Sequence, residues 1–113
     1  MRATASEILM VERPDETTAG DCASNLGDAM RPFGEPAQPS VEKYWKIDGW
    51  FEVAIILRAA HATEGLSQIA DALAADWQWG RDRRWAVWDP RQHGAFRINS
   101  LAPYARWAHR DIL

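Results

Sequence analysis

Cysteine is nearly absent from the chain: Cys22 is the only one, so an intramolecular disulfide is impossible. Secreted domains of this size often depend on several disulfides because their cores are small. Long apolar runs are missing too, since residues 8–11 form only a short run and nothing approaches the roughly 18 residues of a membrane-spanning helix. We therefore expect a cytoplasmic protein of bacterial type with no membrane partner.

Positive charge is also in short supply, because 13 Lys and Arg stand against 16 Asp and Glu, a net charge of −3. The imbalance lies in the first third: residues 1–42 carry eight acidic and three basic side chains, whereas the remainder carries a small positive excess. Non-specific binding to nucleic acid depends mainly on neutralising phosphates. The acidic balance therefore disfavours a nucleic-acid partner.

Tryptophan, by contrast, is abundant, with seven against two tyrosines and three phenylalanines. An apolar fraction of 47% and a charged fraction of 26% are ordinary for a globular protein. The chain of 113 residues fits one domain, so we expect residues 1–113 to form a single α+β domain.

The pattern of apolar residues predicts a strand and a helix in the first third of the chain and a second helix after its midpoint. Residues 7–13 form a short run that Pro14 ends, which favours a strand. Apolar residues recur every three or four positions over residues 19–33, which indicates a helix. A second, cleaner helical stripe is formed by Leu66, Ile69, Ala70, Leu73 and Trp77.

Asp48 and Gly49 lie between two β-rich segments and predict a two-residue type I′ turn that joins strands 43–47 and 50–59. Such a turn places Ile47 opposite Trp50. One face of the hairpin would then carry Trp45, Ile47, Trp50, Ala54 and Ile56, and the other Tyr44, Phe51, Val53, Ile55 and Leu57.

The C-terminal part predicts short strands at 84–88 and 95–99 and then a helix with the apolar face Leu101, Tyr104, Ala105, Ala108 and Ile112. The first six predicted elements have the β-α-β-β-α-β order of a ferredoxin-like sandwich, in which helices pack on one face of an antiparallel sheet. We therefore predict this α+β fold with an extra C-terminal strand and helix.

Two helices can cover only one face of such a sheet. The second face would carry more apolar area than a solvated surface should, and large exposed patches usually mark interaction sites. The alternative is that the third helix covers part of this face.

The chain offers little catalytic or metal-binding chemistry. Asp89 and His93 share one predicted loop and could act as a general base and its orienting partner, but Asp and Gly are also the residues that such a turn needs. His61, His93 and His109 are too widely spaced to indicate a metal site. We expect no enzymatic activity, no metal and no cofactor.

Trp79 follows the second helix and is succeeded by Arg81 and Arg83. Trp and Arg are enriched at protein-binding hot spots. A platform for single-stranded nucleic acid would use the same residues, and a solvated turn beside core tryptophans is the third interpretation. These three side chains are therefore a candidate contact point.

The stretch RRWAVWDP…GAFRIN…YARWAHRDIL resembles the C-terminal halves of some bacterial toxin-immunity proteins. In that class, which shares no single fold, a small αβ domain occupies or occludes the active site of a cognate toxin. The resemblance implies a toxin domain as partner, for instance a basic nuclease steered by acidic residues. The candidates for steering are Glu7, Glu12, Asp15, Glu16, Asp21 and Asp28.

The leading hypothesis is a non-enzymatic protein-binding domain that neutralises a toxin. The predicted partner-binding residues are Trp45, Trp50, Trp79, Arg81, Arg83, Glu12, Asp15 and Glu16. One alternative is a ferredoxin-like enzyme or ligand-binding domain that forms a homodimer, with Asp89, Arg91 and His93 in its pocket. The other is a nucleic-acid-binding module.

Overall fold

A computed structural model describes residues 3–59, 62–74 and 76–112, and the side chains of residues 3, 59 and 62–67 lie outside this description. The predictions for His61 and for the side chain of Leu66 therefore fall outside the described residues. Within them the fold is α+β, with one antiparallel sheet of seven strands and three helices. The strands are β1 (Ala3–Glu12), β2 (Gly34–Pro36), β3 (Ser40–Lys43), β4 (Trp50–Ala59), β5 (Gln78–Trp79), β6 (Trp85–Trp88) and β7 (Ala105–Ile112).

The helices are α1 (Glu16–Met30), α2 (Ala62–Leu73) and the single turn α3 (Pro90–His93), and a short 3-10 helix, Arg31–Phe33, follows α1. The strands lie in the order β2-β4-β1-β7-β6-β5, and β3 pairs with the same edge of β4 as β2. The long strands β1, β4 and β7 form the centre of the sheet. No helix among the described residues is long and apolar enough to cross a membrane.

The core lies between the sheet and the two long helices. Alternate residues of β1 and β4 point into it, as period-two patterning requires, and Leu9, Val53 and Leu57 are fully buried. The helix face predicted from residues 19–33 is buried against them through Ala19, Cys22, Ala23, Leu26 and Met30. Burial of each large aliphatic side chain contributes about 1.5–3 kcal/mol. The predicted α+β fold with an antiparallel sheet is confirmed, and the two long helices pack on the same face of that sheet.

Local chemistry explains where α1 begins and ends. Asp15 occupies the N-cap position, with extended backbone angles, and its carboxylate accepts a hydrogen bond from the Thr18 backbone N–H at 2.8 Å. At the other end Pro32 lacks the N–H that another α-helical turn would need, and the chain tightens into the 3-10 helix.

The predicted type I′ turn at Asp48 and Gly49 is wrong. β3 ends at Lys43, which pairs with Phe51, so residues 44–49 form a six-residue loop. Gly49 alone takes the positive φ of 79° that favours glycine, whereas a type I′ turn needs positive φ at both central residues. The faces of β4 are as predicted, but Tyr44 lies beside Trp50 instead of on the core face.

The predicted C-terminal helix is also wrong, because residues 105–112 form the strand β7 between β1 and β6. Ala108 and Ile112 are four residues apart, so they lie on the same face whether the segment is a helix or a strand, and their spacing does not distinguish the two. The core position between them is Arg110, and a charged residue there hid the alternation typical of a strand.

The ferredoxin-like order is not confirmed. Three strands, β2 to β4, separate the two long helices where the prediction had two, and the chain ends in a central strand. The strand predicted at 95–99 is reduced to a single bridge between Phe96 and Ala74.

Candidate partner-binding face

The sheet surface opposite α1 and α2, here called the open face, carries a series of large apolar side chains. They alternate along the strands with the core residues, as the pleat requires. The open face includes Ile8, Met10, Trp50, Ala54, Ile56, Trp85, Val87, Trp107 and His109. Ile56 is 40% exposed and Trp85 is 37% exposed. Because residues 105–112 form a strand, the predicted third helix does not cover this face.

A groove of about 750 Å³ lies on the open face. Its floor comes from the central strands β1, β4 and β7. The loop between β3 and β4 borders one side, and the start of α3 borders the other. The lining residues are Ile8, Met10, Tyr44, Ile47, Trp50, Glu52, Asp89, Pro90, Arg91, Arg106 and Trp107.

A small polar network holds one end of the groove in place. The Trp50 indole N–H donates a hydrogen bond to Glu12 at 3.2 Å, and the same carboxylate faces the Arg106 guanidinium at 3.5 Å. Arg106 also donates to the carbonyl oxygens of Pro103 and Ala105, each at 3.1 Å. These contacts fix the Trp50 ring in advance, which lowers the entropy lost when a partner binds.

The aromatic side chains of the groove are ordered by their neighbours. The Tyr44 and Trp50 rings lie 6.4 Å apart at an interplanar angle of 29°. Trp107 stacks on His109 with ring centroids 5.9 Å apart. Aromatic rings held in this way present a large contact area with little conformational freedom to lose, as binding hot spots require.

The Asp89 carboxylate is held by Arg91 and not by His93. It accepts from the Arg91 backbone N–H at 2.9 Å and from the Arg91 guanidinium at 3.0 Å, and these hydrogen bonds lower the pKa of Asp89. The His93 Nδ1 atom accepts a hydrogen bond from the Asp89 backbone N–H. This is the arrangement of a capped turn. The Asp89 and His93 side chains do not hydrogen-bond to each other, as a general base and the residue that orients it would.

The structure brings some of the predicted site residues together. Glu12 and Trp50 meet at the groove, and Trp45 lies in the adjoining loop, where it is 83% exposed. Asp15 and Glu16 lie at the start of α1, where the hydrogen bonds from Thr18 to the cap lower the pKa of Asp15.

Trp79, Arg81 and Arg83 lie apart from this group, on the β5–β6 hairpin at the other edge of the sheet. β4 and β5 are four strand spacings apart, roughly 19 Å. The Arg83 guanidinium lies over the Trp79 ring at 4.1 Å from its centroid, so it already covers one face of that ring. The predicted site residues therefore belong to at least two surfaces.

Most residues that line the groove were not predicted as binding residues by the sequence analysis, among them Met10, Tyr44, Glu52, Arg106 and Trp107. The signal that could have found Trp107 is the alternation in residues 107–112, where Trp107, His109 and Asp111 share one parity. This alternation was hard to recognise because the other set of alternating positions, which faces the core, includes the charged Arg110.

Glu7, predicted as an exposed steering residue, is instead buried in the core. It is 2% exposed and pairs at 2.7 Å with Arg110, which is fully buried on the neighbouring strand. The Arg110 guanidinium lies over the Trp77 ring at 4.4 Å. Alternation along β1 turns Glu7 inward with Leu9, so this carboxylate cannot meet a partner.

The Glu7–Arg110 pair predicts a characteristic pH dependence of stability. Burial raises the pKa of Glu7 from 4.5 to about 7 although Arg110 opposes the shift. Between these two values the folded state binds more protons at Glu7 than the unfolded state, so stability falls as the pH rises. We expect the free energy of unfolding, measured in urea, to fall by roughly 1 kcal/mol per pH unit between pH 5 and 7 from this group.

The control is the double variant Glu7→Leu/Arg110→Met, which removes the titrating group together with its partner. All other ionisable side chains are the same in the two proteins, so the comparison isolates the Glu7–Arg110 pair. A wild-type protein whose stability changes with pH no more steeply than that of the double variant would contradict the raised pKa.

Gly80 is a second point where the structure makes a sharp prediction. It is buried at the base of the β5–β6 hairpin, and a Cβ atom added there would lie within 2.7 Å of three atoms of the Trp85 indole. We expect Gly80→Ala to displace Trp85 and to destabilise the protein by about 1–3 kcal/mol, measured by thermal unfolding. In the background Trp85→Ala, which frees the space, the same substitution should cost much less; an equal cost would show that the clash is not the cause.

No cluster of His, Cys, Asp and Glu suited to a metal ion occurs among the residues the structure describes. A scan against protein-family models found no match, and searches of curated proteins and of solved structures found none either.

Proposed function

We propose that this protein is a non-enzymatic protein-binding domain, specifically a bacterial immunity protein that binds and neutralises a cognate toxin domain. The observation that carries the proposal is the open face, where large apolar side chains surround an ordered, aromatic-lined groove. Patches of this kind, ringed by polar groups, are typical of surfaces that bind another protein.

The groove has the features of a binding hot spot. Trp50 and Trp107 are held by Glu12 and His109, respectively, and paired charges stand at the rim. A toxin domain would cover the groove and lose access to its own substrate. The resemblance of the C-terminal stretch to immunity proteins supports this class of partner.

The test is a rescue experiment. The C-terminal domain of the larger protein encoded next to this chain is expressed in bacteria with and without the chain. We expect growth arrest by the neighbouring domain alone, rescue by the chain, and a 1:1 complex on purification. A neighbouring product that is harmless and does not bind the chain would overturn the proposal.

A second function is favoured by the size of the groove, since 750 Å³ lies within the range of small-molecule sites. Asp89 and Arg91 would provide polar contacts there. In this alternative the chain is a ligand-binding domain or an enzyme that pairs through its open face. Light scattering separates the two functions: a stable homodimer with a buried open face favours the alternative, and a monomer favours the immunity protein.

A further inference from the structure

The groove contains a carboxylate, Glu52, that no side chain among the described residues neutralises. Glu52 lies on β4 between the apolar side chains of Trp50 and Ala54 on the open face. The other acidic groups around the groove are already occupied, because Asp89 pairs with Arg91 and Glu12 pairs with Arg106. Glu52 is therefore the acidic side chain on the groove floor that has no ion-pair partner among the described residues.

The strand pairing increases this negative charge. Glu42 on β3 lies directly opposite Glu52. Like charges in opposed positions of an antiparallel pair repel each other and destabilise the sheet. The groove lining itself carries the acidic side chains Glu52 and Asp89 and the basic side chains Arg91 and Arg106, and Glu42 adds a further negative charge directly beside Glu52.

The rest of the floor has the chemistry that accommodates a flat cation. Trp50 and Trp107 provide ring faces, and Tyr44 lies beside Trp50. A guanidinium stacks on such rings while its N–H groups bind a carboxylate, whereas an ammonium provides a compact point charge. The groove floor combines aromatic ring faces with a carboxylate that has no ion-pair partner in the described part of the chain. This combination suits an arginine side chain better than any other side chain.

From these observations we propose that the groove recognises an arginine side chain presented by the protein partner, with Glu52 as its counter-charge and Trp50 and Trp107 as its stacking surfaces. The proposal rests on the proposed function in one respect, that the open face binds a protein. It adds the chemistry of the residue that enters the groove.

The experiment uses the isolated full chain and blocked tripeptides whose central residue is arginine, lysine, citrulline or glutamate. Binding is followed by NMR through the indole N–H resonances of Trp50 and Trp107. We expect the arginine peptide to shift both resonances with a dissociation constant on the order of 1 mM, the strength of one small contact. Citrulline, which keeps the shape of arginine without its charge, should bind at least about tenfold more weakly, and lysine should also bind more weakly than arginine.

Glu52→Gln should reduce the affinity for the arginine peptide about tenfold. Glu35→Gln is the matched control, because it removes the same charge from an exposed position on β2 that does not line the groove, and it should leave the affinity unchanged. Thermal unfolding checks that both variants fold. Equal binding of arginine and citrulline, or of arginine and lysine, stronger binding of glutamate, or no shift at either indole would overturn the proposal.

This result is separable from that of the rescue experiment, since the peptides are tested without a toxin. A groove that prefers arginine in a chain that rescues no toxin would leave this inference standing and remove the proposed partner. If the chain rescues growth but its groove does not bind arginine, the proposed function stands and the inference about arginine is wrong.

Discussion

Glu7→Leu is expected to destabilise the fold by about 3–5 kcal/mol, because it leaves the Arg110 guanidinium in the core without the carboxyl group that, protonated or ionised, accepts its hydrogen bond. Leucine has a size similar to that of glutamate and leaves no large cavity. It does, however, remove the carboxylate that lies 2.7 Å from the buried Arg110. A guanidinium keeps its proton in proteins, even where burial lowers its pKa as it does for Arg110. The variant must therefore keep a cation in the core or shift the β1–β7 pairing.

Arg110→Met should cost less than Glu7→Leu. The carboxyl left behind can take up a proton, and burial already raises the pKa of Glu7 to about 7. Its cost should therefore shrink as the pH falls toward 5. Urea unfolding at pH 5 and pH 8 measures the difference in cost between the two variants and the change in the cost of Arg110→Met with pH.

The double variant Glu7→Leu/Arg110→Met is the decisive control, because replacing a buried pair by apolar side chains is often neutral or stabilising. We expect it to recover most of the stability lost in Glu7→Leu. A double variant as unstable as that single variant would mean that packing, and not the loss of the carboxylate beside Arg110, causes the lower stability.

Trp107→Ala is expected to weaken binding of the proposed toxin partner by at least about 30-fold, the threshold of a binding hot spot. Trp107 lies on the floor of the groove and stacks on His109, so a partner that enters the groove covers its indole. Its side chain is on the open face, so the folded core should be little affected. Titration calorimetry measures the affinity, and circular dichroism checks the fold.

Trp79→Ala is the matched control for Trp107→Ala. It removes the same side chain, also partly exposed, from the β5–β6 hairpin on the far edge of the sheet. We expect a change in affinity of less than about threefold, typical of a residue outside the contact area. A larger loss from Trp79→Ala than from Trp107→Ala would move the binding surface to the hairpin with Arg81 and Arg83.

Regular apolar patterns made much of the fold predictable. β1, β4 and the stripe on α1 follow their expected periods, and the core position of Trp77 follows from the same reasoning. Helices on one face, and hence an open second face, also followed from the predicted elements. These inferences held because each depends on local periodicity and not on long-range pairing.

The failures have two physical causes. The Glu7–Arg110 pair puts charge on the core side of two neighbouring strands, and period-two reasoning cannot anticipate an ion pair between residues about one hundred positions apart. The six-residue loop before β4 keeps a glycine at the position that also suits a two-residue turn, so the local signal was ambiguous. Both errors hid the groove, because its walls come from that loop and its floor includes β7.

The central claim is that the open face, and not the β5–β6 hairpin, binds the partner. Hydroxyl-radical footprinting of the chain, alone and in a complex with the proposed toxin partner, tests this claim most directly, because it reports the exposure of individual side chains by mass spectrometry. We predict that oxidation of Tyr44, Trp50 and Trp107 slows in the complex while that of Trp79 is unchanged. Protection of Trp79 with no change at Trp50 and Trp107 would contradict the claim.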